Sequence, residues 1–146
     1  MKKLLVFTTV LLSVLSFSSC KEDEPTPMMW EFCDYDSNEI SAVFAPDYYN
    51  QVQIKTEMSY AGEITLKCTN FATVTFLSWE SDNTIANEEC GFTISRADAN
   101  SLKITFVPII LSEDKKEINE FVAITGTNGK ESGSTNISIV RINDGK

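Results

Sequence analysis

Apolar and polar residues alternate along most of this chain with a period of two. Val52, Ile54, Thr56 and Met58 alternate with Gln51, Gln53, Lys55 and Glu57. Ile64, Leu66 and Cys68 alternate with Glu63, Thr65 and Lys67. Cys90, Phe92 and Ile94 form a third such set, and Leu102, Ile104 and Phe106 a fourth. This is the pattern of antiparallel strands with one face in a core and the other in water. No long stretch carries the 3.6-residue period of an amphipathic helix.

Turn residues separate these runs at Asp36-Ser37-Asn38, Ala45-Pro46-Asp47, Tyr60-Ala61-Gly62, Asp98-Ala99-Asn100 and Thr127-Asn128-Gly129. Together the two signals predict strands over 28–35, 39–45, 50–57, 63–69, 73–79, 90–96, 101–107, 118–125 and 135–142. In the last two the parity is mixed, with Phe121 beside Val122 and Ile139 beside Val140, so their inward faces stay open. Short strands at this spacing suggest an antiparallel sandwich or barrel. Residues 28–146 are enough for one domain that folds without metal or disulfides.

The start of the chain has a different pattern. Met1-Lys2-Lys3 is basic, Leu4 to Phe17 is apolar, and Ser18-Ser19 leads directly to Cys20. The apolar run is too short for a membrane span and has the layout of a secretory signal. Small residues before a cysteine resemble the lipobox of bacterial lipoproteins, with Phe17 where Leu is more usual. The resemblance implies a signal peptide over 1–19 and lipidation of Cys20, which would anchor the chain to a membrane. Lys21-Glu22-Asp23-Glu24 follows, then Pro25-Thr26-Pro27. An acidic cluster at this place resembles the surface-export signal of Bacteroidota-type lipoproteins. It implies an outer-membrane lipoprotein displayed at the cell surface, the alternative being an anchor that faces the periplasm. Residues 20–27 form the tether, whose charge and prolines keep it extended, with a reach of about 23 Å.

Composition narrows the chemistry. The formal net charge is -9 and the pI is near 4.4. Duplex binding begins with phosphate neutralisation by Lys and Arg, so no nucleic-acid partner is expected. The chain has no histidine. That excludes a Ser-His-Asp triad, a Cys-His dyad and any His-ligated zinc or haem. No cofactor is expected. Asp34-Tyr35-Asp36-Ser37-Asn38 begins like a calcium loop, but Glu39 and Ala45 stand where Gly and Glu are required, so no metal site is expected. A glycosidase carboxylate pair needs a deep cleft, which short hairpin loops rarely build. No catalytic residue is assigned.

Cys33, Cys68 and Cys90 remain in the body of the chain. Cys68 and Cys90 both fall on core-facing parity, which makes them the first pair to test for a disulfide. The alternative is that all three are small buried apolar residues.

Aromatic residues offer a binding surface, because the C–H face of a pyranose is apolar and stacks on a ring. Trp79 shares parity with Thr73 and Thr75, and so points away from the core at a strand end. If each strand simply reverses, Tyr35, Tyr60 and Trp79 gather at one end of the domain, near Asp34 and Asp36. Tyr48 and Tyr49 then lie at the other, near Arg96 and Asn128. Trp30 and Phe32 are expected in the core.

The runs Gly62-Glu63-Ile64-Thr65-Leu66-Lys67-Cys68-Thr69-Asn70, Ser101-Leu102-Lys103-Ile104-Thr105-Phe106 and Asn136-Ile137-Ser138-Ile139-Val140-Arg141 resemble the small immunoglobulin-like, BACON-like domains of lipid-anchored Bacteroidota proteins. Those domains usually end on a strand containing Gln and carry a tryptophan motif mid-domain; here Arg141 lies in the last strand and Trp79 alone is central. The resemblance implies an all-β fold, a single immunoglobulin-like antiparallel β-sandwich of about seven to nine strands. It also implies association with carbohydrate use. The expected function is a non-catalytic, lipid-anchored binding or accessory module for glycans or for envelope or host proteins. The alternative is a structural or assembly protein that contacts another envelope protein through a sheet face or edge.

Overall fold

Strands with one apolar face must cover it, and two sheets laid face to face do so. The computed structural model describes residues 26–46, 50–76 and 84–145. Among these residues are ten strands and no helix. They are β1 (Trp30–Cys33), β2 (Ile40–Ala45), β3 (Gln51–Glu57), β4 (Gly62–Cys68), β5 (Thr73–Phe76), β6 (Thr84–Asn87), β7 (Phe92–Asp98), β8 (Ser101–Phe106), β9 (Glu117–Thr127) and β10 (Ser132–Ile142). They form two five-stranded sheets, ordered β1-β4-β8-β7-β6 and β2-β3-β10-β9-β5. The fold is an all-β sandwich.

The inward sets are those the alternation marks. Val52 and Ile54 on β3, Ile64, Leu66 and Cys68 on β4, Ile94 on β7, and Leu102 and Ile104 on β8 are wholly buried, and Phe92 and Phe106 nearly so. Trp30 is also in the core, and Phe32 packs against it half-buried. The Trp30 Nε1–H donates to Thr135 Oγ1 at 3.0 Å, which joins the two sheets.

Three features differ from the expectation. β6 is an additional strand at the edge of its sheet, where a loop was expected. It buries one apolar side chain, Ile85, so its sequence carries almost no alternation. β3 and β10 pair in parallel, Val52 opposite Ile137 and Ile54 opposite Ile139, within sheets that are otherwise antiparallel. β10 begins at Ser132, and its residues Ile137, Ser138, Ile139, Val140 and Arg141 are all buried. The strand lies between β3 and β9, so neighbouring side chains cover even its outward positions.

The ends of the sandwich differ. At the entry end, Asn70 fastens the incoming chain. The Met29 N–H donates to Asn70 Oδ1, and Asn70 Nδ2 donates to the Pro27 carbonyl, each at 2.8 Å. Met28 is wholly buried beyond this clamp. Gly126 and Gly133 face each other across β9 and β10, and Phe71 lies against both. A Cβ on Gly133 would stand 2.6 Å from the Thr26 carbonyl, so the close approach of the entering chain requires glycine there. The β7–β8 and β9–β10 hairpins turn at this end. The opposite end, the rim, carries the β1–β2 turn, the β3–β4 link, the turn before β7 and the long connection from β8 to β9. Residues 1–25, with Cys20 and Lys21 to Glu24, and Tyr48, Tyr49 and Trp79 lie outside the described residues.

Candidate functional site

The rim is organised around a buried arginine. Parity along β10 sends Ile137, Ile139 and Arg141 inward, and Arg141 is wholly buried. Its guanidinium donates only to main-chain carbonyls among the contacts that fix it. Nη1 reaches Cys90 O at 3.0 Å and Gly91 O at 2.8 Å. Nη2 reaches Met58 O at 3.0 Å, Glu57 O at 3.1 Å, and Tyr60 O and Val107 O at 3.2 Å. Nε–H donates to Glu57 O at 3.3 Å. The cation also sits 5.1 Å from the centre of the Phe106 ring. One side chain therefore ties the β3–β4 link, the turn before β7 and the exit of β8 to the last strand. The planar guanidinium suits this task because its donors fan out in fixed directions. Burial pushes its pKa down, and the charges of Cys90 and Asp144 act in the opposite sense.

Gly91 makes the node possible. Its φ is +62°, and a Cβ there would collide with Ile109 Cγ2 and stand 2.7 Å from Val107 O. Gly91 O accepts from both Arg141 and the Val107 N–H, and Met58 O from both Arg141 and the Ile109 N–H.

Tyr35 and Tyr60 both belong to the rim, and both are half-buried against the core. The Tyr60 ring packs on Phe106, 6.3 Å between centres and tilted by 55°. Burial pushes its phenol pKa up, and Asp36, Glu39 and Glu63 push it further. Asp36 closes the β1–β2 turn by accepting from the Asn38 N–H at 2.9 Å, so its carboxylate is engaged in the turn itself. Trp79, the third aromatic proposed for this end, is among the residues not described. Arg96 lies toward the entry end, where Nη2 donates to Val74 O at 2.7 Å.

The three cysteines are free thiols. The pair Cys68 and Cys90 is not brought together. Cys68 is at the entry end, where its N–H donates to Asn100 O; Cys90 is at the rim, beside Gly91, whose carbonyl accepts from Val107. Positions 100 and 107 flank an extended β8, about 23 Å apart by strand rise, against the roughly 7 Å limit for a disulfide. Equal parity places two residues on one face without placing them at one height.

Two open grooves flank the β8–β9 connection. One, of about 580 Å³, is lined by Cys90, Glu88, Glu89, Glu120, Ile109 and Ile118 among others. The next, of about 640 Å³, shares Ile110 and Leu111 and continues to Lys116 and Asn143. Burial pushes the Cys90 thiol from its ordinary 9.0 up to about 11, with the charges of Glu120 and Glu89 and a hydrogen bond to Glu120 adding to it and Arg141 opposing. A thiol held neutral in this way is a poor nucleophile at neutral pH. A raised folded-state pKa contributes stability that is present below pH 9 and lost as the pH rises toward 11. Urea titrations across that window should show stability falling, with a shallower fall in Cys90→Ala. In the native protein iodoacetamide should label the half-buried Cys33 well before Cys90, read by peptide mass spectrometry.

Compared with protein-family models, curated proteins and solved structures, the chain matches none.

Proposed function

We propose that this protein is a non-catalytic, lipid-anchored binding or accessory module of the cell envelope, displayed at the surface and glycan-associated. The observation that carries the proposal is where the chain enters the sandwich. Asn70 holds Pro27 and Met29 at the entry end, so a tether from Cys20 would leave there. Residues 20–27 are too short to let the domain turn far from the membrane. The rim would then face outward, with the sheet faces standing clear on either side. A non-catalytic role is supported by the lack of histidine and by the buried, neutral thiol of Cys90. The acidic body favours the lipid, rather than surface charge, as the hold on an anionic membrane.

Protease treatment of intact cells, with the protein followed by antibody, tests the placement. Cleavage on whole cells is expected, and replacing Lys21 to Glu24 with alanine should abolish it. Protection until the cells are lysed would put the domain in the periplasm and overturn surface display.

A second reading, an assembly protein that contacts another envelope protein, is favoured by the β8–β9 connection. Ile110 there is 94% exposed and Val107 53%, beside the two grooves. Large apolar side chains grouped on a rim are what a protein interface uses. In that case cross-linking on intact cells should trap a partner that Ile110→Asp releases.

A further inference from the structure

Phe121 lies on β9 in the outward position and is 61% exposed. The strand registers place it in one row with Ser138 on β10, Gln53 on β3 and Val43 on β2. Three inter-strand steps make this row about 14 Å long. Asn119 and Ala123 are the adjacent outward positions on β9. Ser138 Oγ is held by Asn119 Oδ1 at 2.9 Å, and Thr75 and Thr125 share a hydroxyl contact at 2.9 Å farther along the same face. Ser138 is wholly buried under its neighbours and Ala123 is small, so Phe121 is the exposed aromatic side chain of this row, with Val43, 52% exposed, at its far end.

The charge on this face is unlike that of the rest of the chain. Lys55, Glu57 and Glu117 occupy its rim-side rows. From the Phe121 row to the entry end, the outward strand positions among the described residues are Ser, Thr, Asn, Gln, Ala, Val and Phe, with no charge. In a chain with a formal net charge of -9, that leaves an uncharged surface of hydroxyl, amide and small apolar side chains around one aromatic ring.

We propose that the outward face of the β2-β3-β10-β9-β5 sheet binds an extended, uncharged polysaccharide, with Phe121 as the stacking ring. The site deepens the glycan-binding function proposed above and rests on it. Hydroxyl and amide side chains both donate and accept, which matches the paired donors and acceptors of sugar hydroxyls. A protein partner would have to desolvate the same groups for two separated apolar side chains, Phe121 and Val43, whereas protein interfaces concentrate large apolar side chains in one core. A polyanion would find no cationic row. An open sheet face with neither groove on it also suits a chain of rings better than a single small molecule, which prefers a concave pocket.

The test is binding of the purified full-length chain to a panel of cellulose, xylan, mannan, laminarin and amylose, by pull-down and by affinity electrophoresis. Phe121→Ala and Lys67→Ala variants run alongside, the latter an exposed position of the other sheet, with thermal melts to confirm that each is folded. Phe121 is a surface residue, so its replacement should leave the melting temperature unchanged. The expected result is binding to at least one polysaccharide, weakened by Phe121→Ala on the order of tenfold or more and untouched by Lys67→Ala. Binding that survives Phe121→Ala would overturn this site while leaving glycan binding standing. Binding to none of the panel would overturn both. Sedimentation that shows a dimer, dissociated by Phe121→Ala with no polysaccharide bound, would assign the face to a second copy of the chain and overturn the proposal.

Discussion

Replacing Arg141 with Met is expected to cost about 4 kcal/mol of folding stability and to lower the melting temperature on the order of 15 °C. Met fills much of the same space, so the loss reports the charge-assisted hydrogen bonds and the ring contact rather than a cavity. Six carbonyls, those of Glu57, Met58, Tyr60, Cys90, Gly91 and Val107, lose a donor together. Hydrogen bonds to a charged group contribute about 1.5–3 kcal/mol each, but several of these share a proton and three of the carbonyls, those of Glu57, Met58 and Gly91, keep a main-chain donor. The sum is therefore well below six full bonds. Arg141→Lys should recover only part of the loss, because an ammonium is compact and its three donors cannot span six acceptors. Urea unfolding followed by circular dichroism gives the three values. A loss under about 1 kcal/mol in Arg141→Met would mean that water replaces the guanidinium at little cost.

Gly91→Ala is expected to cost about 3 kcal/mol. An alanine at φ +62° pays for a left-handed backbone, and its methyl would push on Ile109 and on the Val107 carbonyl. Both contacts belong to the Arg141 node, so the two substitutions should not add. The double variant should fall short of the summed losses by 1 kcal/mol or more, as expected for residues in one hydrogen-bond network. Additive losses would separate Gly91 from the node and make it a local turn requirement only.

Much of the sandwich was legible because four strands alternate cleanly. Ile64, Leu66 and Cys68 are inward on β4 as their parity requires, and so are Leu102, Ile104 and Phe106 on β8. β6 was not legible: Thr84-Ile85-Ala86-Asn87 is an edge strand that buries Ile85 alone. The parallel pairing of β3 and β10 joins segments some eighty residues apart, and nothing local encodes it. β10 hid its faces because a central strand under long neighbours buries both of them, which erases the alternation.

The site residues show the same division. Tyr35 and Tyr60 could be placed at one end by strand reversal, but not their half-burial against the core, which for Tyr60 involves Phe106 from a distant strand. Arg141 could have been found. It continues the inward series Ile137, Ile139 against the usual exposure of a charge, and that conflict between parity and polarity was the available signal. Phe121 was ambiguous beside Val122 until Ile118, Val122 and Ile124 proved to share the inward side of β9. Its exposure follows from that choice, since adjacent strand residues face opposite ways.

The most direct measurement is an amide chemical-shift map of the isotope-labelled protein titrated with soluble fragments of the neutral polysaccharides. The expected perturbations form one patch on the outward sheet face, centred on Phe121 and reaching Gln53, Asn119 and Asn136, with the rim tyrosines still. Shifts gathered at Tyr35 and Tyr60, or no shifts at high ligand concentration, would contradict it.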